Sequence, residues 1–178
     1  MATNDPAQAP PPPPQADAAL KRLTAFVGTW NKKGQAHDGP FGLAAKVTAV
    51  ETFEWLPGGL FLVHRLEGRL GDMEIACIEV IGYDAASRVY SVHSFYNDGN
   101  TNLWQARERG GVWVFTGEWL VKGETLKVRC TASFDDAGNT MTARWEYSRD
   151  GKKWRLFWDT TLTRVKATGQ SRRSRHAP

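Results

Sequence analysis

Three side chains could do acid–base or ligand chemistry if the fold brought them together: His64, Glu79 and His93. A carboxylate between two imidazoles raises their pKa values and orients them, while desolvation drives all three groups toward neutrality. Such a group could abstract and return a proton, as in an isomerase or cyclase. It could equally hold the polar end of a ligand without catalysis, and two His with one carboxylate are also a metal-binding set. A self-satisfied buried polar pair is the plainer alternative, because burial requires partners. Tryptophan is the second chemical resource, with eight in 178 residues. An indole joins a wide apolar wall to one N–H donor, which suits a cavity gripping a flat or bulky apolar guest. A solid aromatic core would use the same residues.

Which of these residues meet depends on the strands that carry them. From Gly28 to Val165 short β-rich runs alternate with Gly-Gly, Asp-Gly and similar pairs, the pattern of successive hairpins. About ten strands are expected, near residues 29–36, 45–56, 60–70, 73–83, 88–97, 101–109, 112–121, 124–135, 140–149 and 152–165. Tight antiparallel connections with few helices predict an up-and-down meander that removes its edges by closing into a barrel. Before it, Asp17 can cap a short helix with Leu20, Leu23, Phe26 and Val27 on one face, ended by Gly28.

Turn lengths fix register, and register fixes faces. A two-residue turn at Asp150-Gly151 sets Tyr147 opposite Trp154, Trp145 opposite Leu156 and Ala143 opposite Trp158, with Glu146 and Arg155 on the other face. The turns at Asp136 to Asn139, Lys122-Gly123 and Gly110-Gly111 extend the apolar face to Cys130, Trp119, Trp113, Trp104 and Asn102. A two-residue turn at Asp98-Gly99 would add Phe95, His93 and Ser91. From the other end, Gly58-Gly59 pairs Trp55 with Leu62 and Phe53 with His64, and Gly71-Asp72 pairs His64 with Glu79. The halves agree only if the loop near Asp84 to Ser87 is odd, which sets Glu79 opposite His93. An even loop leaves one of those two sets outside.

The predicted interior therefore holds Trp55, Trp104, Trp113, Trp119, Trp145, Trp154 and Trp158, with His64, Glu79 and His93 as the candidate catalytic group. Trp55, Ser91, Asn102, Trp104, Trp119, Trp145, Tyr147 and Trp158 are the candidate ligand-binding residues. No metal site and no cofactor is expected. His37-Asp38-Gly39-Pro40-Phe41-Gly42 is either a rim loop over the barrel mouth or a plain solvent loop.

Composition narrows the classes. At 41% hydrophobic and 24% charged the chain reads as an ordinary globular protein, and no apolar run approaches the ~18–20 residues of a membrane-spanning helix. The formal charge of +4 resides mostly in the tail carrying Lys166, Arg172, Arg173 and Arg175, so no basic groove and no nucleic-acid partner is expected. Residues 1–16 read as a Pro-rich disordered tail, 17–165 as one barrel domain and 166–178 as a disordered basic tail. Cys77 and Cys130 read as buried thiols, and the absence of a signal-peptide pattern in the first residues places the protein in the cytoplasm. Phosphate-loop, dinucleotide, His-Glu-x-x-His and nucleophile-elbow motifs are absent.

Gly28-Thr29-Trp30 after a short helix, with Arg164 near the end of the last strand, resembles the Gly-x-Trp and C-terminal Arg of the lipocalin-like, or calycin, barrels. That resemblance implies an Arg packed across a Trp at the closed end. Leu23 to Trp30, Ile81-Gly82-Tyr83-Asp84 and Asp150-Gly151 followed by Trp154 resemble a bacterial calycin family of unknown function. The strand count and Gly-Thr-Trp also resemble the haem-binding nitrobindins. Those proteins supply an axial His late in the chain, where this sequence has only His176 in its basic tail, so a haem would need His64 or His93. The expectation is an all-β, single antiparallel up-and-down barrel of about ten strands that binds a small apolar or aromatic molecule, without membrane contact. An isomerase or cyclase and a haem protein are the alternatives.

Overall fold

The computed structural model describes residues 18–166. A short helix, α1 (Ala18–Arg22), and a single 3-10 turn, Leu23–Ala25, precede ten strands. These are β1 (Gly28–Ala36), β2 (Ala45–Trp55), β3 (Leu62–Leu70), β4 (Met73–Asp84), β5 (Val89–Tyr96), β6 (Thr101–Arg109), β7 (Val112–Val121), β8 (Glu124–Phe134), β9 (Thr140–Ser148) and β10 (Arg155–Arg164). Every strand pairs antiparallel with its chain neighbours, and β1 pairs with β10 to close the barrel. Closure leaves no unpaired sheet edge. No helix among the described residues is long and apolar enough to cross a membrane. Residues 1–16, Asp17 with its expected cap, and most of the basic tail fall outside the described residues.

Glycine-bearing turns set most of the register as expected. Trp55 lies opposite Leu62 and Phe53 opposite His64; His64 lies opposite Glu79; Ala106 lies opposite Phe115 and Trp119 opposite Leu126. Lys122 and Gly123 both take positive φ, 51° and 82°, the conformation that matches a two-residue turn to strand twist.

Three connections differ from expectation. Between β4 and β5 Asp84 pairs with Val89, leaving an even loop, 85–88. The Asp84 carboxylate organises it by accepting from the Ala86 N–H at 2.9 Å and the Ser87 hydroxyl at 2.5 Å. Glu79 therefore lies opposite Ser94, and Ser91, His93 and Phe95 face the outer wall. Phe95 is 53% exposed. The next loop is odd instead of even, with the Tyr96 N–H donating to the Asn100 carbonyl and Ser94 opposite Asn102. The two shifts cancel, so β6 to β9 return to the expected face and, of the first nine strands, only β5 is inverted.

The third difference lies between β9 and β10. Asp150 Oδ1 accepts from the backbone of Lys152 and Lys153 and from the Ser148 hydroxyl, which widens the connection beyond two residues. Tyr147 then pairs with Arg155, Glu146 with Leu156 and, past a β-bulge, Trp145 with Trp158 and Ala143 with Thr160. Phe157 is the extra residue and is buried, as a bulge permits two successive side chains to aim alike. Trp154 is left on the outer wall under the Arg129 guanidinium, 4.1 Å from its ring. Glu146 bonds Arg129 and Arg144 instead of Arg155.

The helical segment plugs one end. Leu20, Leu23 and Phe26 are buried, and Phe26 meets Trp113 and Phe134 edge-on at 5.0 and 5.1 Å. Tyr90 donates to the Ala19 carbonyl. Arg164 lies 4.1 Å over the Trp30 ring and donates to the carbonyls of Ala25, Val27 and Gly138. The stacking and the charge-assisted bonds hold helix, first strand and last strand together.

Candidate ligand site in the barrel interior

Alternation places Lys32 of β1, Glu51 of β2, His64 of β3, Glu79 of β4 and Ser94 of β5 on the inner face, one from each of five adjacent strands. They form a single chain of contacts. Lys32 Nζ donates to Glu51 Oε1 at 2.8 Å, and Glu51 Oε2 lies 3.3 Å from His64 Nε2, in ion-pair range but without hydrogen-bond alignment. His64 Nδ1 bonds Glu79 Oε2 at 2.8 Å, and Ser94 donates to Glu79 Oε1 at 2.6 Å. Phe53 stacks flat on the His64 ring, 4.1 Å away.

Burial and pairing oppose each other along this chain, and pairing prevails. Burial disfavours the His64 imidazolium, but Glu51 and Glu79 outweigh it and raise its pKa from 6.5 to about 9. Burial also disfavours the Glu51 carboxylate, yet Lys32 and His64 hold it down at about 2. Glu79 is pulled below the usual carboxylate range against its own burial by His64 and Ser94. Lys32 stays charged, its burial offset by Glu51. At neutral pH two cations face two anions. Glu79 is the least enclosed member: its side chain is 18% accessible, against 4% for Glu51 and 7% for Lys32.

An aromatic wall continues from this polar chain. Tyr96, near Glu79, Asn102 and Ser94, has its hydroxyl pushed above the usual range, chiefly by burial. The Asn102 amide, oriented to satisfy its neighbours, accepts from Trp119 Nε1 and donates to the Thr101 carbonyl. Trp104 meets Trp119 and Trp145 edge-on at 5.4 and 5.5 Å. Gly117 makes this possible, since a Cβ there would fall 2.8 Å from the Trp104 ring. Trp145 also meets Trp158 and Phe157, and its Nε1 is buried without a partner.

At the mouth, opposite the helical plug, the loop between β1 and β2 folds inward. Phe41 lies 4.3 Å from Phe157, 5.1 Å from Trp119 and 5.6 Å from Tyr147. His37 Nε2 bonds Asp159 at 2.6 Å, and Gly39 and Gly42 pair with each other. Of the two readings of this loop, the rim is the one realised. Surface depressions of about 660 and 700 Å3 lie elsewhere, the first on the outer wall around β1, β2 and β10, the second beside the helical plug.

The structure thus brings together His64, Glu79, Asn102, Trp104, Trp119, Trp145, Tyr147 and Trp158. Trp55 points inward but stands apart, two residues beyond Phe53, whose partner is Gly28 at the plugged end. Ser91 and His93 are corrected to the outer wall because the even loop inverts β5. Ser94 and Tyr96 take their places. Lys32 and Glu51 escaped the sequence reading although the same alternation reaches them, from Trp30 to Lys32 and from Phe53 to Glu51. Gly117 carried its own signal, a glycine inside a strand where another group approaches closely.

His64, Cys77 and Glu79 each present a donor atom within 4.8 Å of the others, the interior cluster nearest to a metal-binding set. Their chemistry does not fit it well: burial and Glu79 push the Cys77 thiol up, away from thiolate, and His64 Nδ1 is committed to Glu79. The haem suggested by resemblance also fails its fit. His64 faces carboxylates at both nitrogens, His93 faces outward and His37 is paired at the mouth. His176 lies outside the described residues.

Fold and interior together define a closed ten-stranded antiparallel barrel with an internal ion-pair chain and an indole wall. No curated protein matches the chain. The chain belongs to the family described as protein of unknown function, DUF1579, which matches residues 15–164. Among solved structures it is similar to Rv2717c from M. tuberculosis, at 13% identity and a TM-score of 0.59, over 85% of this chain and all of that one. At that identity the likeness concerns the fold alone.

Proposed function

We propose that this protein is a lipocalin-like binder that takes a small apolar or aromatic molecule into the mouth half of the barrel. The carrying observation is Glu79, a charged side chain with residual accessibility inside a barrel whose mouth half carries a wall of packed indoles. A barrel interior that was only a core would gain nothing from a polar chain spanning five strands, since apolar residues of similar volume are often as stabilising or more so. The Arg164 and Trp30 stack supports the lipocalin-like reading.

The same chain speaks for binding over proton transfer. A general base needs a free nitrogen and a pKa near the working pH. His64 has carboxylates at both nitrogens and holds its proton up to about pH 9. His93, the intended second imidazole, is on the other side of the sheet. Titration of the protein with a panel of apolar and aromatic compounds, read by tryptophan emission, tests the proposal. A saturable shift with at least one chemotype is the expected result, and an unchanged spectrum across the panel would overturn it.

A further inference from the structure

We propose that the interior selects an uncharged aromatic guest carrying both an N–H or O–H donor and a carbonyl-type acceptor, and rejects carboxylates and ammonium ions of the same shape. This rests on the binding reading above and names its ligand class. The buried charged groups facing inward among the described residues, Lys32, Glu51 and His64, are already committed to one another and to Glu79. Lys32 is sealed against Glu51 at 2.8 Å, and Arg164 is engaged by three carbonyls at the far, plugged end. Among the described residues each inward cation already faces a carboxylate, Lys32 and His64 both meeting Glu51, so an anionic head group finds no uncommitted positive charge. A carboxylate guest would add an unpaired negative charge beside Glu79, which burial makes costly.

An ammonium guest fails for the opposite reason. The two carboxylates are balanced by Lys32 and by the His64 imidazolium between them, so a further cation would leave the interior with an excess positive charge. A neutral donor has what it needs. Each Glu79 oxygen accepts one bond, from His64 at 2.8 Å and from Ser94 at 2.6 Å. A carboxylate oxygen has room for a second. Among the described residues two buried side-chain nitrogens lack a hydrogen-bond partner: His64 Nε2, which meets Glu51 only at ion-pair range, and Trp145 Nε1 on the indole wall, whose N–H calls for an acceptor. Leaving it unmet costs more than the bond would return. An amide, lactam or hydroxy-ketone on an aromatic frame satisfies Glu79 and the indole N–H without changing the charge.

Four probes of matched shape test this with the full-length protein by calorimetry at pH 7: 2-naphthylacetamide, its N,N-dimethyl derivative, 2-naphthylacetate and 2-(2-naphthyl)ethylamine. The primary amide should bind about tenfold or more tighter than each of the other three, the difference one charge-assisted hydrogen bond makes. In Glu79→Gln the advantage of the primary over the dimethyl amide should shrink. Equal or tighter binding of the acetate or the amine would overturn the selectivity while leaving the binding reading intact. An aromatic panel that binds while the primary amide shows no preference would do the same. Failure of all four probes and of the whole panel would instead sink the binding reading.

Discussion

The most exposed consequence at the scale of single residues is the cost of interrupting the internal ion pairs. Lys32→Met leaves Glu51 buried beside His64 alone, and removing one partner of such a pair costs about 3–5 kcal/mol. Urea denaturation should register that loss, and the double change Lys32→Met with Glu51→Leu should recover most of it, because the orphaned charge leaves with its partner. The pairs also set a pH profile. His64 has a raised pKa, so its contribution is complete below 6.5 and is lost as pH rises through about 9. Glu51 is depressed, so its share is complete above 4.5 and is lost as pH falls through about 2. The melting temperature of the native protein should therefore decline between pH 6.5 and 9.5 relative to a His64→Gln variant. A parallel decline in both would contradict the assignment.

Between elements, two tests separate the inner wall from the outer. If β5 is inverted as described, His93→Ala and Phe95→Ser lie on the outer wall and should each change stability by less than about 1 kcal/mol. Val92→Asp, on the inner face, should abolish folding or cost several times as much. Arg164→Ala removes both the stack on Trp30 and the bonds to the helical plug. It should cost about 2–3 kcal/mol and release the amides of residues 19–27 to hydrogen exchange before the strands. Much of this was legible in the sequence wherever glycine dictated the turn. Gly58-Gly59, Gly71-Asp72, Gly110-Gly111 and Lys122-Gly123 each determine a register without tertiary information. The failures came where side chains closed the loop instead. Asp84 and Asp150 capture backbone N–H groups several positions onward, lengthening their turns by one residue or more, and a single residue inverts a face. The bulge at Phe157 is of the same kind: nothing local in Leu156-Phe157-Trp158 distinguishes an alternating strand from one carrying two successive inward rings. For the site, alternation already reached His64, Glu79, Asn102 and the indoles. Lys32 and Glu51 lay on that same face, where a lysine reads as solvent-facing until its partner on the next strand is known.

For the whole molecule, the closed sheet divides the interior into a half plugged by the helical segment and a mouth half under the loop between β1 and β2. Trp30, Phe26, Phe134 and Arg164 finish the one. The other ends on Phe41, a single ring carried by a glycine-flanked loop that also bonds Asp159 through His37. If the mouth half takes a guest as proposed, the Phe41 ring, packed on Phe157, Trp119 and Tyr147, must swing away to admit it. In stopped-flow mixing the capture rate would then climb with concentration only until the swing itself becomes the slow step, and level off there. Phe41→Ala would remove the plateau and hasten escape as much as entry, turning a slow, retentive vessel into a leaky one.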